Sequence, residues 1–208
     1  PFLAFRSMHS LSRQNIGLNT RYEAAPNGIS VQMYPGYPHL HMQFSKKAVE
    51  YIHAPDWFKD FEYTEEKERG YESHEDLYNP GFFECDIKKG ESVIFSASTT
   101  GVNPLSITRH FNKELGQRTP RNSFENCLIN SAEQFYFRHH GKTGIIAGYP
   151  WYGSVGRYTF ISLPGLSLYT SVPNLADSVY ASMIKNMQGP FFREYRTPNE
   201  TSYASADT

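Results

Sequence analysis

Cysteine is scarce in this sequence: 208 residues hold two, Cys85 and Cys127, far apart and in different local surroundings. That leaves no disulfide framework, and both read as free thiols of a reducing compartment. An excess of either charge is missing too, with 20 Lys+Arg against 21 Asp+Glu. Nucleic-acid binding needs a basic face to displace counterions from phosphates, so that class is set aside. The apolar runs fall far short of the ~20 residues of a membrane helix. No basic start followed by an apolar stretch marks a signal peptide. A cytoplasmic globular protein without membrane or nucleic-acid partners is expected. Glycine-rich phosphate loops of the G-x-x-x-x-G-K-[ST] kind are absent. Gly153-Ser154-Val155-Gly156 falls short of the G-x-S-x-G nucleophile elbow.

The eight histidines raise a metal hypothesis. His39 and His41 share one side of a strand, and His139–His140 are expected to end a helix, where the macrodipole accounts for them. Zinc needs three or four converging ligands, and neither pair has a third at a ligand spacing. No metal and no cofactor is expected.

What is present is β-patterned first and helical afterwards. "ISVQMY" (29–34) and "HLHMQFS" (39–45) alternate apolar and polar residues and predict strands, with Leu40, Met42 and Phe44 on one face. "PGYP" between them carries turn chemistry. "FFECDI" and "SVIFSAS" flank "KKGE", which predicts a hairpin with positive φ at Gly90. The stretch Pro55 to Pro80 has little usable periodicity and reads as a long surface excursion. After about residue 100 the period changes. Leu105, Thr108, Phe111 and Leu115 predict a first helix ending near Gly116. Phe124, Cys127, Leu128, Ala132 and Phe135 predict a second, capped by Asn122 or Ser123 and running to His140. A third begins near Arg157, where Pro164 is expected to bend or interrupt it. A fourth runs from Asn174, as cap, through Leu175, Val179, Met183 and Met187. The tail "PNETSYASADT" reads as a loop. Strands followed by helices without βαβ alternation predict an α+β chain.

Aromatics carry the functional signal. Phe, Trp and Tyr make up 15% of the chain, and Tyr149, Trp151 and Tyr152 crowd the approach to a helix beside Arg157. Flat aromatic faces match the C–H faces of a pyranose, and a guanidinium donates to hydroxyls. A plainer reading has Tyr149 and Trp151 covering a domain junction. Arg157 weighs against it, because a cation in a first helical turn opposes the helix dipole and calls for a local partner or ligand.

"AGYPWYGSVGRYTFISLPGL" (147–166) resembles the barrel-entry motif of bacterial glycogen debranching enzymes of the amylo-α-1,6-glucosidase type. There it typically reads A-G-[YF]-P-W-F, a short variable stretch, then R-D-T-[FM]-I-[SA]-L-P-G-L. "PFLAFRS", "MYPGYP", "PDWF", "ERGYESHEDLY" and "DIKKGESVIFSA" are similar to the family as well, so the likeness spans nearly the whole chain. The resemblance implies the end of an antiparallel β-sandwich domain (1–97), linker helices (98–140) and the truncated start of an (α/α)6 barrel (141–208). Pro1 in place of Met and the closing "ASADT" fit that expectation of a piece of a longer chain. It further implies hydrolysis of α-1,6-linked glucose at branch points of glycogen or branched dextrin by an inverting pair of carboxylates. No glutamate here matches a catalytic motif, so that pair is expected beyond Thr208 and this chain alone is expected to be inactive. By resemblance, Tyr149, Trp151, Tyr152, Arg157, Tyr158 and Asp207 fall at substrate-binding positions. Tyr158 departs from the family's Asp. A phenol does not accept two hydroxyl bonds as a carboxylate does, and losing a charge-assisted bond costs about 1.5–3 kcal/mol. The alternative is a non-catalytic carbohydrate-binding or assembly module. Apolar faces meant for a closed barrel predict disorder or self-association past about residue 165.

Overall fold

A computed structural model describes residues 1–6, 10–139, 141–148, 152–169, 174–197 and 200–203. It is an α+β chain of two compact units, Pro1–Gln117 and Arg118–Thr208. The first holds β1 (Tyr22–Ala25), β2 (Gly28–Val31), β3 (Leu40–Phe44), β4 (Glu50–Glu62), α1 (Thr64–Glu68), β5 (His74–Glu84), β6 (Phe95–Ser98) and α2 (Pro104–Gln117). The second holds α3 (Phe124–Glu133), β7 (Tyr136–His139), β8 (Lys142–Ile145), α4 (Gly156–Tyr169), α5 (Leu175–Lys185), β9 (Arg193–Thr197) and β10 (Glu200–Tyr203). Among the described residues no helix is long and apolar enough to cross a membrane.

In the first unit an antiparallel sheet runs in the order β1-β2-β3-β6, and β4 and β5 form a separate two-stranded sheet. The alternation read in residues 29–34 and 39–45 holds: Ile29, Val31 and Met42 are buried, packed against Tyr51 of β4 and Phe83 of β5. Gly28 is required by close approach, since a Cβ there would stand 2.0 Å from the Met42 carbonyl oxygen. The opposite face of β3 is covered as well. Gln43 is buried, its amide donating to the carbonyls of Pro26 and Val102 and accepting from Val102 N–H. Ile107 of α2 is buried nearby in sequence, and α2 contacts β3. A second cluster joins Leu18, Met33 and Tyr78, with Trp57 and Phe5 against it.

The region 55–80 is not a surface excursion. It is most of a long antiparallel hairpin, β4 with β5, whose strands are 13 and 11 residues long. Its register shifts between His53 and Asp56 and again between Phe58 and Phe61, so the period-two pattern is broken twice. Pro55 sits in the first irregularity, where a missing N–H is tolerated. Asp60 takes φ +56° in the second. The hairpin predicted around Gly90 is half right. Gly90 has φ +83° and the Glu91 N–H reaches the Lys88 carbonyl. The flanking strands part company, however: β5 pairs with β4, whereas β6 pairs with β3.

The N-terminal segment is tied to that hairpin through charge. Glu75 is fully buried and accepts from the Arg6 guanidinium, Tyr63 Oη (2.6 Å), and both the N–H and the hydroxyl of Ser12. Burial opposes its ionisation, and the bonds from Arg6, Tyr63 and Ser12 overcome that, holding the carboxyl at about 2. Asp76 accepts from the backbone N–H of Asp60 (3.0 Å) and of Gln14 (2.9 Å), which lowers its pKa. Leu3 exchanges backbone bonds with Tyr78 as an isolated bridge.

In the second unit Ser123 caps α3 as predicted, accepting from Asn126 N–H at 3.1 Å. The helix stops at Glu133, however, and residues 136–139 are strand, so His139 does not end a helix; His140 lies outside the described residues. β7 and β8 pair around Gly141, at φ +74°. α5 buries Leu175, Val179 and Met183, the face read from their spacing, whereas Met187 lies outside the helix and is exposed. Asn174 precedes α5 in the left-handed region at φ +55° and its side chain makes no capping bond. The core is Ile145, Leu163, Leu175, Val179 and Met183. Ser182 joins helix to strand, accepting from Thr143 N–H (3.0 Å) while donating to the Ser178 carbonyl (2.8 Å). α4 runs unbroken through Pro164, where an interruption is expected from the ring's clash and missing donor. Part of the tail read as a loop is strand β10, which pairs with the preceding β9. The free thiols are as read, Cys85 half-buried and Cys127 exposed.

Candidate functional site

Between β8 and α4 the chain closes on itself. Tyr152 N–H reaches the Gly148 carbonyl and Ala147 N–H the Gly153 carbonyl, both at 2.8 Å. Gly148 and Tyr152 face each other as an isolated antiparallel bridge. A Cβ at Gly148 would lie 2.7 Å from Tyr152 Cδ2, so the ring packs where only glycine leaves room. Next come buried Ser154 and Gly156, and Thr159 N–H bonds to the Val155 carbonyl at 2.9 Å as α4 begins. The turn thus delivers α4 with a fixed start.

Two faces of α4 separate at once. Thr159 and Leu163, one turn apart, are both 1% exposed and turn toward the core. The hydroxyl of Thr159 is buried without a hydrogen-bond partner. Arg157, Tyr158 and Ile161 lie on the exposed side. Tyr158 is 55% exposed and Tyr152 61%, leaving ring surface available to a ligand. The first turn of α4 contains no acidic residue. Arg157 therefore adds a cation to the positive end of the helix dipole. Such a place favours oxygen-rich groups that accept hydrogen bonds, including sugar hydroxyls.

Of the substrate-binding positions read from the sequence, Tyr152, Arg157 and Tyr158 fall in this exposed stretch. Tyr149, Trp151 and Asp207 lie outside the described residues. Sequence reasoning missed the closing bonds of the turn and the packing of Tyr152 on Gly148. The one signal for them was the glycine density between Gly148 and Gly156.

Two family models match the chain: glycogen debranching enzyme N terminal over residues 1–94, and amylo-alpha-1,6-glucosidase over residues 130–199. No curated protein and no solved structure matches it. The first match covers β1 to β5, and the second takes in the closed turn, Arg157 and all of α4 and α5. Taken together, they place this chain in the glycogen debranching enzyme family, glycoside hydrolases that act on the α-1,6 branch points of α-glucan.

Proposed function

We propose that the stretch from Tyr149 to Tyr158 floors the subsite for the terminal α-1,6-linked glucose. Arg157 donates a fork of hydrogen bonds to its hydroxyls, and the rings of Trp151 and Tyr152 lie against its C–H faces. Tyr149, Tyr158 and Asp207 complete the set. In this reading the sheets of the first unit belong to a β-sandwich, residues 98–140 link, and residues 141–208 open an (α/α)6 barrel. The reaction is inverting. One carboxylic acid protonates the leaving oxygen and a second carboxylate activates water on the opposite face of an oxocarbenium-like transition state. Both carboxylates are supplied from outside residues 1–208, so the chain binds glucan without turning it over.

The observation that carries this reading is the exposed Arg157 in an acid-free first turn, within the segment matched to amylo-alpha-1,6-glucosidase. Calorimetric titration with isomaltose tests it. Arg157→Ala is expected to weaken binding at least about tenfold, the loss of one charge-assisted bond. Tyr158→Asp is expected to strengthen it by a similar factor, because a carboxylate accepts what a phenol does not. Isomaltose affinity indifferent to both changes, or release of glucose from a branched dextrin by the purified chain, contradicts the proposal.

A further inference from the structure

At the neck of the closed turn stands a glycine that only one ring requires. Gly148 has no φ in the left-handed region, so its backbone conformation does not call for glycine. What excludes a side chain there is Tyr152. A Cβ at Gly148 would stand 2.7 Å from Tyr152 Cδ2, 3.5 Å from Cε2 and 3.7 Å from Cγ, its three nearest atoms apart from chain neighbours. The two longer distances are nearly equal and well beyond the first, which sets the glycine at the edge of the ring beside Cδ2. The two residues face each other across an antiparallel bridge, with Tyr152 N–H on the Gly148 carbonyl. Residues paired in this way interact through their side chains, and here the ring takes the space that glycine leaves.

The second unit repeats the arrangement where it serves packing. In the β7–β8 hairpin Phe137 lies opposite Gly144, and a Cβ there would stand 2.5 Å from Phe137 Cζ. Gly144 is buried and Phe137 half-buried, so that contact belongs to the packed hairpin. Tyr152 differs, because 61% of it is exposed. Its contact with Gly148 covers little apolar surface and contributes little to stability. What the contact fixes is direction. An exposed side chain otherwise changes rotamer freely, and ordering it when a ligand arrives costs affinity. Seated by its edge, the ring is ordered beforehand.

We infer that Gly148 is a positioning residue of the glucose subsite: it touches no ligand, but seats the Tyr152 ring so that an aromatic face is oriented before binding. The inference rests on the subsite proposed above and adds the residue that sets the ring. It also separates positioning from folding. The atoms that would clash with a side chain at residue 148 belong to an exposed ring, so Gly148→Ala turns that ring into solvent and leaves the fold standing.

A double-mutant cycle read by isomaltose titration tests it. Gly148→Ala is expected to weaken binding about fivefold with the melting temperature unchanged, and Tyr152→Ala to weaken it by the same factor. In the Tyr152→Ala chain, Gly148→Ala is expected to cost nothing further, because no ring is left to displace. Tyr152→Phe keeps the ring and is expected to bind as the parent chain does. Without ligand, a nuclear Overhauser contact between Gly148 Hα and Tyr152 Hδ is expected in the parent chain. The inference is overturned if that contact is missing, if Gly148→Ala binds as the parent does or melts lower, or if Tyr152→Phe loses binding. An equal loss from Gly148→Ala with and without the Tyr152 ring overturns it too, since that marks a purely structural glycine. Failure here with Arg157-dependent binding intact removes the seat alone. Binding weakened in Gly148→Ala but kept in Arg157→Ala removes the guanidinium from the subsite and leaves the seat. A parent chain that binds no isomaltose removes both.

Discussion

In the first unit the most deeply buried groups include a carboxylate and an amide, Glu75 and Gln43, each with its hydrogen bonds made inside the fold. In the second, two helices turn large apolar residues outward: Ile161 at 69% exposure and Leu168 at 77% on α4, and Ile184 at 63% on α5. The first unit thus ties its polar groups down locally, through an N-terminal segment strapped onto the β4–β5 hairpin. Around one small core the second leaves hydrocarbon uncovered, and the proposed barrel gives those faces neighbours. The first unit exposes hydrocarbon as well, Leu105, Phe111 and Leu115 on α2 and Ile16 and Ile87 elsewhere. The contrast teaches where stability and binding are divided. The buried charge network serves the fold, whereas the first turn of α4 carries Arg157 and no acidic residue.

The largest effect is expected at Glu75. Glu75→Ala leaves the Arg6 guanidinium part-buried without its carboxylate and is expected to cost about 3–5 kcal/mol. Urea unfolding followed through Trp57, which packs in the first unit, measures it. The pH dependence has a definite sign. The folded carboxyl sits at about 2, below its unfolded value. Its contribution is therefore complete above about pH 5 and disappears as pH falls toward 2. The same titration in Glu75→Gln is expected to lack that acid-side loss.

A smaller effect is expected on the exposed faces of the second unit. Ile161→Ser with Leu168→Ser removes two outward apolar side chains and is expected to lower any self-association constant about tenfold, toward monomer. Sedimentation across a concentration series reads it directly. Smallest of all is Thr159→Val. The buried hydroxyl has no partner, so its replacement by a methyl of similar size is expected to stabilise the second unit by about 1 kcal/mol. A loss of stability there would assign the hydroxyl a bond.

Local devices were legible in the sequence. The Ser123 cap, the buried i, i+4, i+8 row on α5 and the positive φ at Gly90 depend on neighbours within a few residues, and each is present. What was missed depends on partners distant in sequence. The β4–β5 hairpin was hidden because two bulges shift its alternation, and the pairing of β6 with β3 is not written in the turn that precedes it. On α2 the period gave the helix but not its buried side: Ile107 is buried while Leu105, Phe111 and Leu115 face solvent. Periodicity locates a face without saying what meets it. At the candidate site, Arg157 and Tyr152 stood out by residue type in an odd setting. The fit of the Tyr152 ring against Gly148 is tertiary and left no pattern beyond glycine density.

Backbone amide shifts in isotope-labelled protein titrated with isomaltose test the central claim most directly. Saturable shifts confined in the second unit to the turn and first turn of α4, from Tyr152 to Thr159, are the expected result, lost in Arg157→Ala. Isomaltose that moves no amide in that stretch, while the fold stays intact, contradicts the assignment of glucose binding to α4.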